Sequence, residues 1–352
     1  VMGGETFEQG TGLPTTVTTG GANNGVDLAQ NNEISGFDIG DTTGAGLADS
    51  GGSVGSLSVS DVGKSGAGQI VDIDQGGTLD VTLNSAASTA STGGAIDLAE
   101  VGGSFTVTGA TVITGAHGGG GVDITGSSVT ATFSGGGTVS TGTATAVNFV
   151  GNSGALALGG GFDIATTTGT GLNASGAGTV TATGAGNDVS AAGGVAVSVV
   201  GTAIGAADLT FESVSANGGS YAIRLNGTGS DGGLHITGTG MTDGSGGTIQ
   251  NIGIRGIEAI DTAELSLGNM NLVNANTISG TSTDLDVSAS NAAVYLSDVA
   301  GVSLDNVHIN GVADTGIVGI DVSDFVMDNS SITEARDAIH ESGIEVVNLS
   351  GD

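Results

Sequence analysis

The sequence predicts an all-β chain, a right-handed parallel β-helix (solenoid) of about 13–14 three-strand coils. Three observations predict it. The first is a period. The apolar pairs Ile96/Leu98, Val122/Ile124, Val147/Phe149, Leu172/Ala174 and Val197/Val199 recur at steps of 26, 25, 25 and 25. Each pair brackets one small or polar residue: Asp97, Asp123, Asn148, Asn173 and Ser198. Side chains alternate faces along a strand, so each triplet reads in-out-in. The second is that two further strand-like bursts follow each pair, such as Phe105–Val107 with Val112-Ile113, and Val129–Phe133 with Val139. The third is punctuation. Gly, Asn, Ser and Asp stand at the boundaries, where tight corners need positive φ.

In chain order, residues 1–25 are rich in Thr and Gly and read as an irregular lead-in. Residues 26–352 read as a single β-helix. Its first strand is announced by Val26-Asp27-Leu28, is weak near Leu47, and is clear again at Val71-Asp72-Ile73. The C-terminal third repeats the coil cleanly, with Val294-Tyr-Leu296, Val302-Ser-Leu304 and Val307-His-Ile309 as one turn. Ile320-Asp-Val322, Phe325-Val-Met327 and Ile332 make the next. Two long steps interrupt the period, and the extra residues are assigned to loop insertions near 227–233 and 277–291. Loops on a regular scaffold are where binding residues concentrate.

Composition narrows the class. Gly is 70 of 352 residues while Pro is 1, which excludes collagen. The recurrent Val, Ile and Leu and a hydrophobic fraction of 38% argue against disorder. Lys64, Arg224, Arg255 and Arg336 stand against 36 acids, for a net charge of −32. Phosphate binding needs clustered cations, so nucleic acid is excluded as a partner. There is no Cys, and hence no disulfide, thiol chemistry or Cys-based zinc site. No apolar run is long enough to span a bilayer as a helix. No leader peptide is visible at Val1, and the pattern is still running at Asp352, so a fragment of a longer protein is expected.

The stretches GGTIQNIGIRGIEAIDTAELSLGNMNLVNA, AAVYLSDVAGVSLDNVHINGV and GIVGIDVSDFVMDNSSITEA resemble the right-handed parallel β-helix repeats of bacterial secreted and cell-surface proteins. That family includes autotransporter passengers and repeat adhesins, with pectin-degrading enzymes as more distant relatives. The resemblance is good over residues 220–350 and looser over 26–220. It implies an extracellular or cell-surface location, and is specific for fold rather than function.

Chemistry is expected first in a ladder. If the first strands stack, Asp72, Asp97 and Asp123 line up about 4.8 Å apart, followed by Asn148, Asn173, Ser198 and Arg224. Unit charges at that spacing repel by about 1 kcal/mol in water and about 3–4 at an effective dielectric of 20. The plain reading is a solvated acidic face. The sharper one is a cation site on Asp72, Asp97 and Asp123, with calcium as the candidate ion and no cofactor required. Asp284 and Asp286, and Asp321 with Asp324 and Asp328, read as turn residues. Gly227–Gly232 matches the dinucleotide fingerprint, but a strand follows it where a helix is needed. His235 and His308 are central in apolar triplets and should point outward, His117 lies in a turn, and the aromatics Phe105, Phe133, Phe149, Phe162 and Phe211 should stack inside.

The expected function is an extracellular structural or adhesive β-helix segment of a large bacterial surface or secreted protein. It would hold loops for contact with a cell-surface or matrix glycan or protein, or self-associate into fibres. The alternative is a polysaccharide lyase or hydrolase. A lyase would need cations such as Arg224 and Arg255, which are 31 residues apart and able to sit one coil apart on the same side. The hydrolase pattern of paired Asp with Gly-His-Gly and Arg-x-Lys is absent, carboxylate pairs stay open on spacing alone, and a non-enzyme is the expectation.

Overall fold

The computed structural model describes residues 6–7, 15–18, 23–281, 288–335 and 342–351. Among them the regular structure is β-strand without helix, wound as a parallel solenoid of about 13 coils. The chain divides into two compact units, residues 1–165 with 175–180, and residues 166–174 with 181–352.

In the first unit, the bracketing residues predicted from the period are Cα partners on successive coils. Val26, Leu47, Val71, Ile96, Val122 and Val147 form one column of the first strand. Thr82, Thr106, Thr132 and Ala157 form the corresponding outward column of the second strand. Strand pairing before residue 26 is already present. Thr6–Phe7 and Thr15–Val17 both pair with Glu33–Ile39, so part of the expected lead-in belongs to the ladder. Thr and Val are β-branched, and their strand preference outweighs the poor periodicity there.

In the second unit the first-strand column runs Val197, Ile223, Ile257, Val294, Ile317 and Ile344. The long step after Ile223 has a different origin from the one expected. Gly227–Gly229 continues the strand Tyr221–Gly229, and the buried Thr228 hydroxyl meets that of Thr262 on the next coil. The additional residues lie instead between Leu234–Ile236 and Thr248–Gln250, where Met241 is 74% exposed. Glycine serves strands and corners alike in this chain, so a glycine-rich run does not by itself mark a loop. The second long step lies between Asn271–Val273 and Ala292–Asp305, and of the residues 277–291 expected there, 282–287 lie outside the described residues.

Corners are made by residues that tolerate left-handed backbone. Of the 15 non-glycine residues at positive φ among the described residues, all but Glu100 and Glu334 are Asn or Asp, whose short side chains ease that conformation. Asp321 (φ 52°) and Asp324 (φ 53°) are among them, in agreement with their reading as turn residues. Gly137 shows where even Asn would fail. Its φ is 146°, and a Cβ there would collide with the Thr111 carbonyl of the preceding coil.

The interior is filled by the inward members of each triplet. Phe105, Phe133, Phe149, Phe162 and Phe211 are all at most 2% exposed. Phe133 is bracketed by Phe105, with ring centroids 6.1 Å apart and planes tilted by 54°, and by Phe162, at 6.3 Å and edge-on. Offset and edge-on pairs add about 0.5–1.5 kcal/mol beyond area burial. Replacing Phe133 by Ala should therefore destabilise its unit by about 3–5 kcal/mol. Urea denaturation followed by circular dichroism checks this, and a loss below about 1 kcal/mol would contradict close packing at that level.

Candidate functional site

The outward members of the first-strand triplets form the acidic column expected from the period. Asp72, Asp97 and Asp123 are consecutive Cα partners, and Asn148 follows Asp123. All four side chains are half-buried. The column acquires two carboxylates not anticipated from the triplets, Asp49 and Asp74. Asp49 is buried just after the strand Ala45–Ala48, and its Oδ2 accepts a hydrogen bond from the Gln75 amide at 2.8 Å.

The electrostatic consequence is graded along the column. Burial, and then the charges of Asp123, Asp72, Asp74 and Asp49, push the Asp97 carboxyl up to about 6. Asp72 is raised by burial and by Asp74 and Asp49, and Asp49 by burial against the opposing effect of its amide donors. At the far end the Asn148 amide donates to Asp123 Oδ1 at 2.8 Å, so the change from Asp to Asn in the column replaces repulsion with a hydrogen bond. The column can hold a proton on Asp97, and its oxygens are of the type a hard cation takes.

The equivalent column of the second unit has a different character. Ser198, Arg224, Glu258, Tyr295 and Val318 are successive partners. Although they occupy outward positions, Glu258, Tyr295 and Val318 are buried. This part of the face is covered. Arg224 Nε donates to Glu258 Oε1 at 2.8 Å, and Arg255 Nη1 donates to Oε2 of the same carboxylate at 2.7 Å. The Arg255 guanidinium lies 3.4 Å from the Tyr295 ring centroid, and Arg224 lies 5.2 Å from that of Tyr221. The two arginines thus sit one coil apart on one side, bridged by a carboxylate. Glu258 follows Arg224 by 34 residues, so its place on the column is visible only once the extra residues after Ile236 are located.

Arg255 also binds the insertion. It donates to the carbonyl oxygens of Ser288 at 3.1 Å and Ser290 at 3.1 Å. Asp314, 2% exposed, holds both arms of the same segment: its Oδ2 accepts the amides of Gly280 at 2.7 Å and Asn291 at 2.9 Å. Asn291 Nδ2 donates to the Ile278 carbonyl, and the Thr281 amide to that of Ala289. Residues 277–281 and 288–291 are therefore a closed stem, cross-linked to itself and pinned to the coils beneath.

The remaining candidates have local roles. Lys64 is 1% exposed and donates to the Ser65 and Ala67 carbonyls at 2.8 and 2.9 Å, and burial lowers its pKa to about 8. His117 is buried between Ser91 Oγ, 2.7 Å from Nδ1, and the Thr114 carbonyl, and burial lowers its pKa. His235 and His308 stand at outward ladder positions, as their triplets predicted. Asp261, Asp298 and Asp321 line an open groove of about 420 Å³ with Ser230 and Ser323. Arg336, Asp284 and Asp286 lie outside the described residues. No helix of the described residues is long and apolar enough to cross a membrane.

No protein-family model matches the chain, and neither a curated protein nor a solved structure shows significant similarity to it.

Folding raises the Asp97 pKa from 3.8 to about 6, so between those values the folded chain holds the extra proton. That contribution to stability is complete below about pH 4 and is lost as the pH rises through about 6. Asp97→Asn should accordingly raise the melting temperature at neutral pH, and the gain over wild type should vanish below about pH 4. Melting curves of both proteins across this range check it. An equal difference at every pH would contradict a strained carboxylate at this rung.

Proposed function

We propose that this chain is a structural and adhesive scaffold, an extracellular segment of a bacterial surface or secreted protein. In this reading the solenoid presents the 277–291 insertion to a cell-surface or matrix glycan or protein. The observation that carries the reading is the stem of that insertion. A buried carboxylate, Asp314, and a stacked arginine, Arg255, are committed to holding two short arms that are joined by the six residues 282–287. Burying a charge costs several kcal/mol unless it is fully paired, and here the pairing goes to the insertion's backbone. A connection that served only to join two strands needs no such anchorage.

The same contacts weigh against the polysaccharide lyase. That reading needs a free cation to neutralise a substrate carboxylate. Arg224 and Arg255 instead share Glu258, and Arg255 is also stacked on Tyr295. The strong net negative charge of −32 likewise suits a neutral or basic partner better than an acidic polysaccharide.

Replacement of residues 282–287 by a short Gly-Ser linker, which leaves the stem intact, tests the proposal. Far-UV circular dichroism and the melting temperature should be unchanged, while binding to a panel of immobilised glycans and extracellular-matrix proteins should fall at least about tenfold. Wild-type binding to the panel that survives the replacement would overturn the assignment of the insertion as the contact surface. Turnover of a polysaccharide by the wild type, abolished in Arg255→Met, would overturn the scaffold reading in favour of the enzyme.

A further inference from the structure

One group of side chains in the second unit is used by neither the stem nor the acidic column. It surrounds His235. The second strands of successive coils align Leu209, Leu234, Leu265, Val302 and Phe325. The residues immediately before these five are Asp208, Gly233, Glu264, Gly301 and Asp324. Acid and glycine therefore alternate from coil to coil at one corner.

Alternation matters because it removes a side chain between two carboxylates. Asp208 and Glu264 lie two coils apart, with Gly233 between them. A Cβ at Gly233 would collide with the carbonyl oxygen and Cβ of Glu264. The gap is occupied from the side by the imidazole of His235, two residues along the same strand. Its Nε2 lies 3.7 Å from Asp208 Oδ1 and 3.4 Å from Glu264 Oε2, and the ligand atoms of all three residues fall within 4.8 Å of one another.

These separations are too long for hydrogen bonds. Nε2 is shielded from solvent and has no hydrogen-bond partner, a state that normally costs about 1–3 kcal/mol. Bonds of about 2.0–2.2 Å place two ligands of a tetrahedral zinc shell about 3.3–3.6 Å apart. The distances of 3.7 and 3.4 Å are close to that edge. The position of Asp208 is itself fixed, because its Oδ1 accepts the Gly233 amide at 3.0 Å. A shallow pocket of about 210 Å³ opens against the cluster, lined by His235 and Glu264 together with Ser266, Ser303 and Asp324.

We propose that Asp208, His235 and Glu264 form a binding site for one divalent transition-metal ion of the zinc class. One imidazole nitrogen with two carboxylates suits a borderline ion such as Zn²⁺, whereas Ca²⁺ takes six to eight oxygens. The site is distinct from the Asp72, Asp97 and Asp123 column, which contains oxygen donors alone. It would tie three successive coils together at a corner that the backbone bonds Leu209 N–H to Gly233 and Leu234 N–H to Glu264 already join.

Isothermal titration of the chelator-treated protein with Zn²⁺, in the presence of excess Mg²⁺ to occupy general acidic surface, tests the proposal. Titration with Co²⁺, read by its visible absorption, reports the coordination. The expected result is one ion per chain, with Co²⁺ bands of a four-coordinate site. His235→Ala and Glu264→Gln should each weaken binding at least about tenfold, since loss of mere supporting partners already costs about 10–100-fold. Asp208→Asn keeps an acceptor for the Gly233 amide and separates loss of a ligand from loss of the corner. It should weaken Zn²⁺ binding with unchanged circular dichroism. Absence of saturable Zn²⁺ binding, or equal affinity in wild type and His235→Ala, would overturn the site and leave His235 as a side chain lying between two acids without an ion.

Discussion

The constraint on which everything else depends is the hydrogen-bonded spacing between coils. A parallel ladder holds neighbouring strands about 4.8 Å apart and fixes each residue opposite its counterpart one coil away. Any side chain placed at a given position is therefore placed beside its own kind, for good or ill. Inside the solenoid this is favourable. Val71, Ile96, Val122 and Val147 stack as an unbroken apolar column, and burial contributes about 25 cal/mol per Å² wherever water is excluded. Outside, the same geometry forces Asp72, Asp97 and Asp123 together, and the chain answers with a raised pKa on Asp97 and an amide on Asn148.

The two units use the outward face in different ways. In the first it stays half-buried and acidic. In the second the column Arg224, Glu258, Tyr295 is neutralised, stacked and covered, and it anchors the stem of the 277–291 insertion. The covered face is also where Ala292, Tyr295 and Val318 form a small apolar cluster outside the main core, with Ile260 and Ile320 packed against it. Three of the chain's four cations are among the described residues, and none of the three is free. Lys64 is capped by two carbonyls, and both arginines are bound to Glu258.

The fold was legible because periodicity alone determines a solenoid. The steps of 26, 25, 25 and 25 between Ile96 and Val197 carry the strand, the register and the facing of each side chain together. The acidic column was legible for the same reason, since stacking follows once the register is known. Where the period breaks, so does legibility. The residues after Leu225 are rich in glycine, and glycine is equally at home in the strand at Gly227 and in the exposed turn at Gly240. Misplacing that extra length hides both Glu258, which belongs opposite Arg224, and Glu264, which belongs beside His235. Asp208 was obscured differently. It stands at a corner with positive φ, and only the next coil's register shows that its carboxylate accepts the Gly233 amide and lies beside His235.

The central claim is that successive coils stack in register, so that outward residues one period apart are neighbours. Because the chain has no native cysteine, engineered disulfides measure this directly. Thr106 and Thr132 are Cα partners on adjacent coils, a separation within the range of about 4.4–6.8 Å that a disulfide spans. Thr106→Cys with Thr132→Cys should cross-link within a chain under mild oxidation. Thr106→Cys with Ala157→Cys, two coils apart, should stay reduced. Cross-linking of the distant pair, or failure of the adjacent one in folded protein, would contradict the register from which every site described above is built.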